Sequence, residues 1–62
     1  MTPAEVKAIR ARLGLSQREL AEWLRLSTNG DRTVYRWESG EIPISGPAQI
    51  ALEAFDSGWR PA

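Results

Sequence analysis

Two short stretches, Thr2-Pro3-Ala4-Glu5 and Ser16-Gln17-Arg18-Glu19, fix where two helices must begin and leave this chain little freedom to fold otherwise. Each is a hydroxyl residue followed three positions later by glutamate, so side chain and backbone can satisfy each other's orphan groups at a helix start. Pro3 strengthens the first start, because its missing N–H is not needed at the first helical position. Val6, Ile9 and Leu13 then recur at helical spacing, and Gly14 is the expected left-handed stop. From Ser16 a second helix begins almost at once, with Leu20, Ala21 and Leu24 on its inner face and Leu15 stapled to Leu20. Ala21 is small enough to let another helix approach closely. So short a connection favours an antiparallel or steeply crossed pair.

The next break is Arg25-Leu26-Ser27-Thr28-Asn29-Gly30-Asp31. Its Asn-Gly pair lacks the alternating flanks of a β-hairpin, so a loop between helices is expected, with Asp31 or Gly30 capping a third helix. In that helix Val34 and Trp37 point inward. Asp31, Arg32, Tyr35 and Arg36 fall on the other side, and Gly40 is the stop. After Pro43 and Ile44, the stretch Ser45 to Phe55 reads as a fourth helix, with Pro47 near its start and Ile50, Ala51, Ala54 and Phe55 buried. Gly58 and Pro61 prevent its extension. The expected fold is all-α: a compact bundle of four short helices, about 3–13, 17–26, 31–38 and 47–56, forming one domain over residues 1–62.

A chain this short buries only about 60% of its unfolded surface. It has no cysteine to staple it, and with no histidine either it lacks the usual zinc ligands and most nucleophile–base pairs. No metal, cofactor or small-molecule ligand is therefore expected, and no enzymatic activity. No apolar run approaches the roughly 18 residues of a membrane span, so a cytoplasmic location without membrane contact is the expectation. Eight basic residues balance eight acidic ones, which removes the global electrostatic signature of nucleic-acid binding. The distribution matters more, since Arg18, Arg25, Arg32 and Arg36 all lie mid-chain.

Leu13-Gly14-Leu15-Ser16-Gln17-Arg18-Glu19-Leu20-Ala21-Glu22-Trp23-Leu24, followed by Thr33-Val34-Tyr35-Arg36-Trp37-Glu38-Ser39-Gly40, resembles the lambda-repressor-like, or xenobiotic-response-element, helix-turn-helix family. The resemblance runs from about Val6 to Phe55. It implies that helices 2 and 3 form a helix-turn-helix, with helix 3 in the major groove of double-stranded DNA, and that the protein works as a homodimer on a palindromic operator. Arg32, Arg36, Tyr35 and Asp31 then hold the base-reading positions. Arginine can donate a bidentate pair to guanine, Tyr35 can meet a thymine methyl or a phosphate, and Asp31 can cap the helix, pair with Arg32 or Arg36, or accept from cytosine. Ser16, Gln17, Arg18, Thr28, Asn29, Ser39 and Gly40 would contact phosphates. Arg10 and Glu38 occupy places that the family often joins by an ion pair, which would satisfy a carboxylate drawn inward beside Trp37.

The chain departs from the family's pattern at Arg25, which stands where a glycine usually ends helix 2. Arginine tolerates the left-handed region poorly, so helix 2 is expected to run on and Asn29-Gly30 to make the turn. Trp23 is also unusual, and either covers the extended loop or belongs to a partner surface, for which Leu52, Phe55 and Trp59 are further candidates. With no ligand or cleavage domain in 62 residues, a phage-like repressor of this kind would act by occupying its operator or recruiting a second regulatory protein. The alternative is an antitoxin-like or adaptor module that uses the same fold to bind a protein. Zero net charge and Trp23 favour that alternative, and the arginines of helix 3 argue against it.

Overall fold

The computed structural model describes residues 1–61, which form four helices and, among these residues, no strand. They are α1 (Pro3–Leu13), α2 (Gln17–Trp23), α3 (Gly30–Ser39) and α4 (Gly46–Asp56). The expected all-α bundle of four short helices is what the chain adopts. Both capping boxes are formed. Thr2 accepts from the Glu5 N–H while the Glu5 carboxylate accepts from the Thr2 N–H, and Ser16 and Glu19 do the same. Ser45 caps α4 by accepting from the Ala48 N–H, a cap the sequence reading did not identify.

The end of α2 differs from expectation. Instead of running to residue 26, the helix stops at Trp23, and Arg25 adopts the left-handed conformation at φ 59°. The Leu26 N–H bonds to Ala21 O at 3.0 Å and the Arg25 N–H to Glu22 O at 3.1 Å, the paired bonds of a Schellman end. Arg25 therefore does what glycine usually does at such a position, although that backbone costs a non-glycine residue about 1–2 kcal/mol. The bonds and the inward return of Leu26 offset the cost.

The start of α3 is also corrected. Neither Asp31 nor Gly30 is the cap residue. Asn29 stands there, at φ 75° and without a side-chain cap bond, and Gly30 is the first helical residue. Gly30 is needed for proximity: a Cβ on it would lie 2.6 Å from the Leu26 Cβ and 3.0 Å from the Ala21 Cβ. Small Ala21 and Gly30 thus let the start of α3 sit directly on the end of α2.

Nine apolar side chains form the core: Val6 and Ile9 of α1, Leu20 and Ala21 of α2, Val34 and Trp37 of α3, and Ala48, Leu52 and Phe55 of α4. Leu20, Leu52, Val6 and Val34 are sealed from solvent, and each such burial stabilises by about 1.5–3 kcal/mol. Leu13, Leu15, Leu24, Leu26, Ile44 and Ala51 pack around them, half-buried. In α4 the buried stripe is Ala48, Leu52 and Phe55, and of the expected set only Phe55 belongs to it. Ile50 is 69% exposed, and Ala51 and Ala54 are only half-buried. This helix is apolar on several sides, so its own periodicity does not select the buried face; contact with α1 does. Leu52 is accordingly a core residue, which removes it from the candidate partner surface, while Phe55 keeps only 2% of its surface exposed.

Candidate functional site

The residues singled out in α3 divide by face as their spacing requires. Val34 and Trp37 are buried against the other helices, while Asp31, Arg32, Tyr35 and Arg36 are exposed. Tyr35 is 58% accessible, a large aromatic surface left in water between two arginines. Asp31 lies in the first turn of α3, where a carboxylate complements the helix dipole. Among the described residues it makes no ion pair, so it neither caps the helix nor positions Arg32 or Arg36. The partner of Arg36 is Glu41, whose Oε2 is 3.3 Å from the Arg36 Nε.

The inner edge of the same helix is tied down by a polar cluster. Arg10 donates from Nε to Glu38 Oε2 at 2.6 Å and from its Nη2 to Glu38 Oε1 at 2.9 Å, a bidentate fork. The remaining Nη1 donates to Leu15 O at 2.9 Å, which also anchors the link between α1 and α2. Gln17 donates its side-chain amide to Glu38 Oε1 at 3.1 Å. With its side chain only 6% exposed, Glu38 would be costly there without these partners. Burial works against ionisation of its carboxyl, but hydrogen bonds from Arg10 and Gln17, with the charges of Arg10 and Lys7, outweigh it and hold the group below the ordinary glutamate value. The guanidinium of Arg10 is raised in turn by its bond to Glu38. One cluster therefore joins α1, the start of α2 and the end of α3, and sets the angle at which the outer face of α3 is presented.

The candidate phosphate-contacting residues fall into three places. Ser16 and Gln17 stand at the start of α2, where the Ser16 hydroxyl is engaged in its cap and the Gln17 side chain in the Glu38 cluster. The Gln17 side chain thus serves as a link between helices, a role the sequence reading missed. Arg18, Thr28 and Asn29 come together with Gly30 and Asp31 around an open groove of about 410 Å³ between α2 and the loop leading to α3. Ser39 and Gly40 lie at the far end of α3. The Ser39 hydroxyl donates to Arg36 O at 3.1 Å and accepts from the Glu41 N–H at 3.4 Å.

Trp23 packs against α4. Its ring meets Phe55 edge-on at 5.2 Å, and the guanidinium of Arg60 lies 5.5 Å above it. Trp59 stacks on Phe55 at 5.7 Å and is 57% exposed. Trp23, Leu24, Leu26, Ala51, Phe55 and Trp59 line an apolar groove of about 440 Å³ between α2 and α4. Among the described residues no three histidine, cysteine, aspartate or glutamate side chains gather as metal ligands, and no helix is long and apolar enough to cross a membrane.

No protein-family model matches the chain, and no solved structure matches it either. Among curated proteins, it is similar to a segment of the type II methyltransferase M1.ScrFI of Lactococcus lactis subsp. cremoris, with 45% identity over 50 residues, 81% of this chain and 12% of that protein. It is also similar to a segment of the type II methyltransferase M.SsoII of Shigella sonnei, with 49% identity over 52 residues, 84% of this chain and 14% of that protein. The chain therefore spans 12% and 14% of the length of these two relatives.

Proposed function

We propose that this domain binds double-stranded DNA sequence-specifically as a lambda-repressor-like helix-turn-helix module, with α3 entering the major groove and a dimer reading a palindromic operator. The observation that carries this reading is the division of α3 into a locked inner edge and an outer face of Arg32, Tyr35 and Arg36. Two arginines one helical turn apart can each address a guanine edge, and a tyrosine between them can meet a thymine methyl. Arg18, Thr28 and Asn29, around the groove beside the start of α3, supply donors for flanking phosphates. So do the backbone N–H groups at the start of α2.

Matches to small segments of two type II methyltransferases fit a module carried by longer proteins. The share covered is too small to bring methyl transfer to this chain, and the proposed role is binding rather than catalysis. In a regulator such a module acts by occupying its operator or by recruiting a second protein.

Selection from random duplexes followed by sequencing tests the reading. An enriched palindrome is expected, lost at distinct base pairs in Arg32→Ala and Arg36→Ala, together with a steep fall in affinity as salt rises. No enrichment at low salt overturns the reading. The apolar groove between α2 and α4, with Trp59 at its rim, favours a second reading, an adaptor or antitoxin-like module that binds a protein. That role predicts no DNA affinity above background at any salt concentration.

A further inference from the structure

Arg36 and Glu41 are five residues apart, a separation that on an uninterrupted helix puts two side chains on different sides. The chain end of α3 brings them together. Gly40 turns left-handed at φ 82°, its N–H bonding to Trp37 O at 3.4 Å and the Glu41 N–H to Arg36 O at 3.0 Å. This Schellman return folds Glu41 back over the last turn of the helix. Ser39 reinforces it by donating its hydroxyl to Arg36 O and accepting from the Glu41 N–H. The carboxylate arrives 3.3 Å from the Arg36 Nε, with both side chains more than half exposed.

An ion pair so exposed contributes little to folding. Its geometry matters more for what it does to the arginine. A guanidinium is a planar fork of five N–H donors, and here the carboxylate stands beside its Nε corner as an ion pair at 3.3 Å. The far edge of the fork stays available for the bidentate contact that guanine O6 and N7 accept. A long side chain that would otherwise sample many rotamers is held before DNA arrives, so less freedom is lost on contact.

We propose that Glu41 is the positioning residue for base reading by Arg36, and that it raises specificity while lowering affinity for DNA in general. This inference rests on the reading of α3 as the major-groove helix. Glu41 orients the guanidinium plane toward one base pair. Its negative charge, standing beside a polyanion, also weakens the sequence-independent attraction that every duplex exerts on the arginines. Discrimination grows both from the contact Glu41 sharpens and from the unspecific binding it opposes.

Glu41→Gln removes the charge and keeps the shape, and the test measures its affinity for four duplexes. These are the sequence enriched by the wild type, that sequence changed only at the base pair whose preference disappears in Arg36→Ala, that sequence changed only at the base pair whose preference disappears in Arg32→Ala, and an unrelated duplex. The expected result is tighter binding of the unrelated duplex and a two- to fivefold loss of discrimination at the Arg36 base pair, about the worth of an exposed ion pair. Discrimination at the Arg32 base pair is unchanged, and in an Arg36→Ala background Glu41→Gln has no effect on discrimination. Unaltered discrimination at the Arg36 base pair overturns this inference and leaves the DNA-binding role intact. Loss spread equally over all base pairs overturns it too, because that marks a general change in the domain. A wild-type chain that enriches no duplex overturns both the inference and the reading beneath it.

Discussion

Two arginine–glutamate pairs bracket the end of α3, and they differ in almost every physical respect. Arg10 and Glu38 meet through two bonds of 2.6 and 2.9 Å, with side chains 17% and 6% exposed and with Gln17 and Leu15 O completing the cluster. Arg36 and Glu41 meet at 3.3 Å in water. The glutamates are three residues apart in sequence. The difference shows how a ten-residue helix serves two purposes: one carboxylate, drawn inward beside Trp37, must be fully partnered and so fixes the helix, while the other stays hydrated and leaves the far edge of its arginine open to a ligand.

The largest effect should come from breaking the inner pair. Glu38→Ala leaves the Arg10 guanidinium with only Leu15 O, in surroundings chosen for an ion pair. Removing one partner of a buried pair costs about 3–5 kcal/mol, and the lower end applies because Arg10 keeps some solvent. A domain of this size has a total stability of only about 3–9 kcal/mol, so the variant should lose about a third of it or more and melt well below the wild type. Thermal melting followed by circular dichroism checks this. An unchanged melting temperature would make the two pairs energetically alike and end the comparison.

A milder effect separates charge from geometry at the same place. The folded-state pKa of Glu38 lies below its ordinary value, so between the two the unfolded chain binds more protons than the folded one. The stability it contributes is therefore full above the ordinary carboxylate range and is lost as the pH falls through the folded pKa. Asp56, held down by the hydrogen bond from Arg12, and Glu5, held down by its bonds to Thr2, act in the same direction. Both are solvent-exposed and contribute weakly. The melting temperature should thus be flat from neutrality to about pH 5 and fall below that. In Glu38→Gln it should start lower at neutral pH and fall less steeply in acid. Equal acid slopes in the two proteins would mean that Glu38 is not the group that matters.

Which parts of this arrangement the sequence discloses depends on how local their causes are. Both capping boxes, Pro3 and the glycine stops at Gly14 and Gly40 are chemistry within a few residues, and each helix start they mark is where it was expected. The outward set on α3 follows from spacing alone. The end of α2 does not, because Arg25 is forced left-handed by the return of Leu26 onto Ala21 and by the approach of Gly30, which are contacts between helices. The inner face of α4 was misread for a related reason: a helix apolar on several sides leaves the choice of Leu52 over Ile50 to its neighbours. Glu41 escaped notice because helical spacing does not pair it with Arg36. An acidic residue just past a C-terminal glycine, five after an arginine, is the signal that would have found it. Gln17 had no such signal, since its partner depends on where α3 crosses the start of α2.

The smallest effect on folding belongs to the outer pair. In Arg36→Ala the Glu41 carboxylate loses a neighbour but stays in water, where its hydration replaces the contact. The backbone turn that positions it rests on Gly40 and the helix carbonyls, not on the guanidinium. Stability should change by no more than about 0.5 kcal/mol, as for most surface substitutions. Melting curves at low and high salt check this, and both should overlay those of the wild type. A loss comparable to that of Glu38→Ala would show that the outer face also holds the fold together. If the curves overlay, any loss of DNA selection in this variant reports a missing contact rather than a missing fold, and that separation is what a reading residue requires.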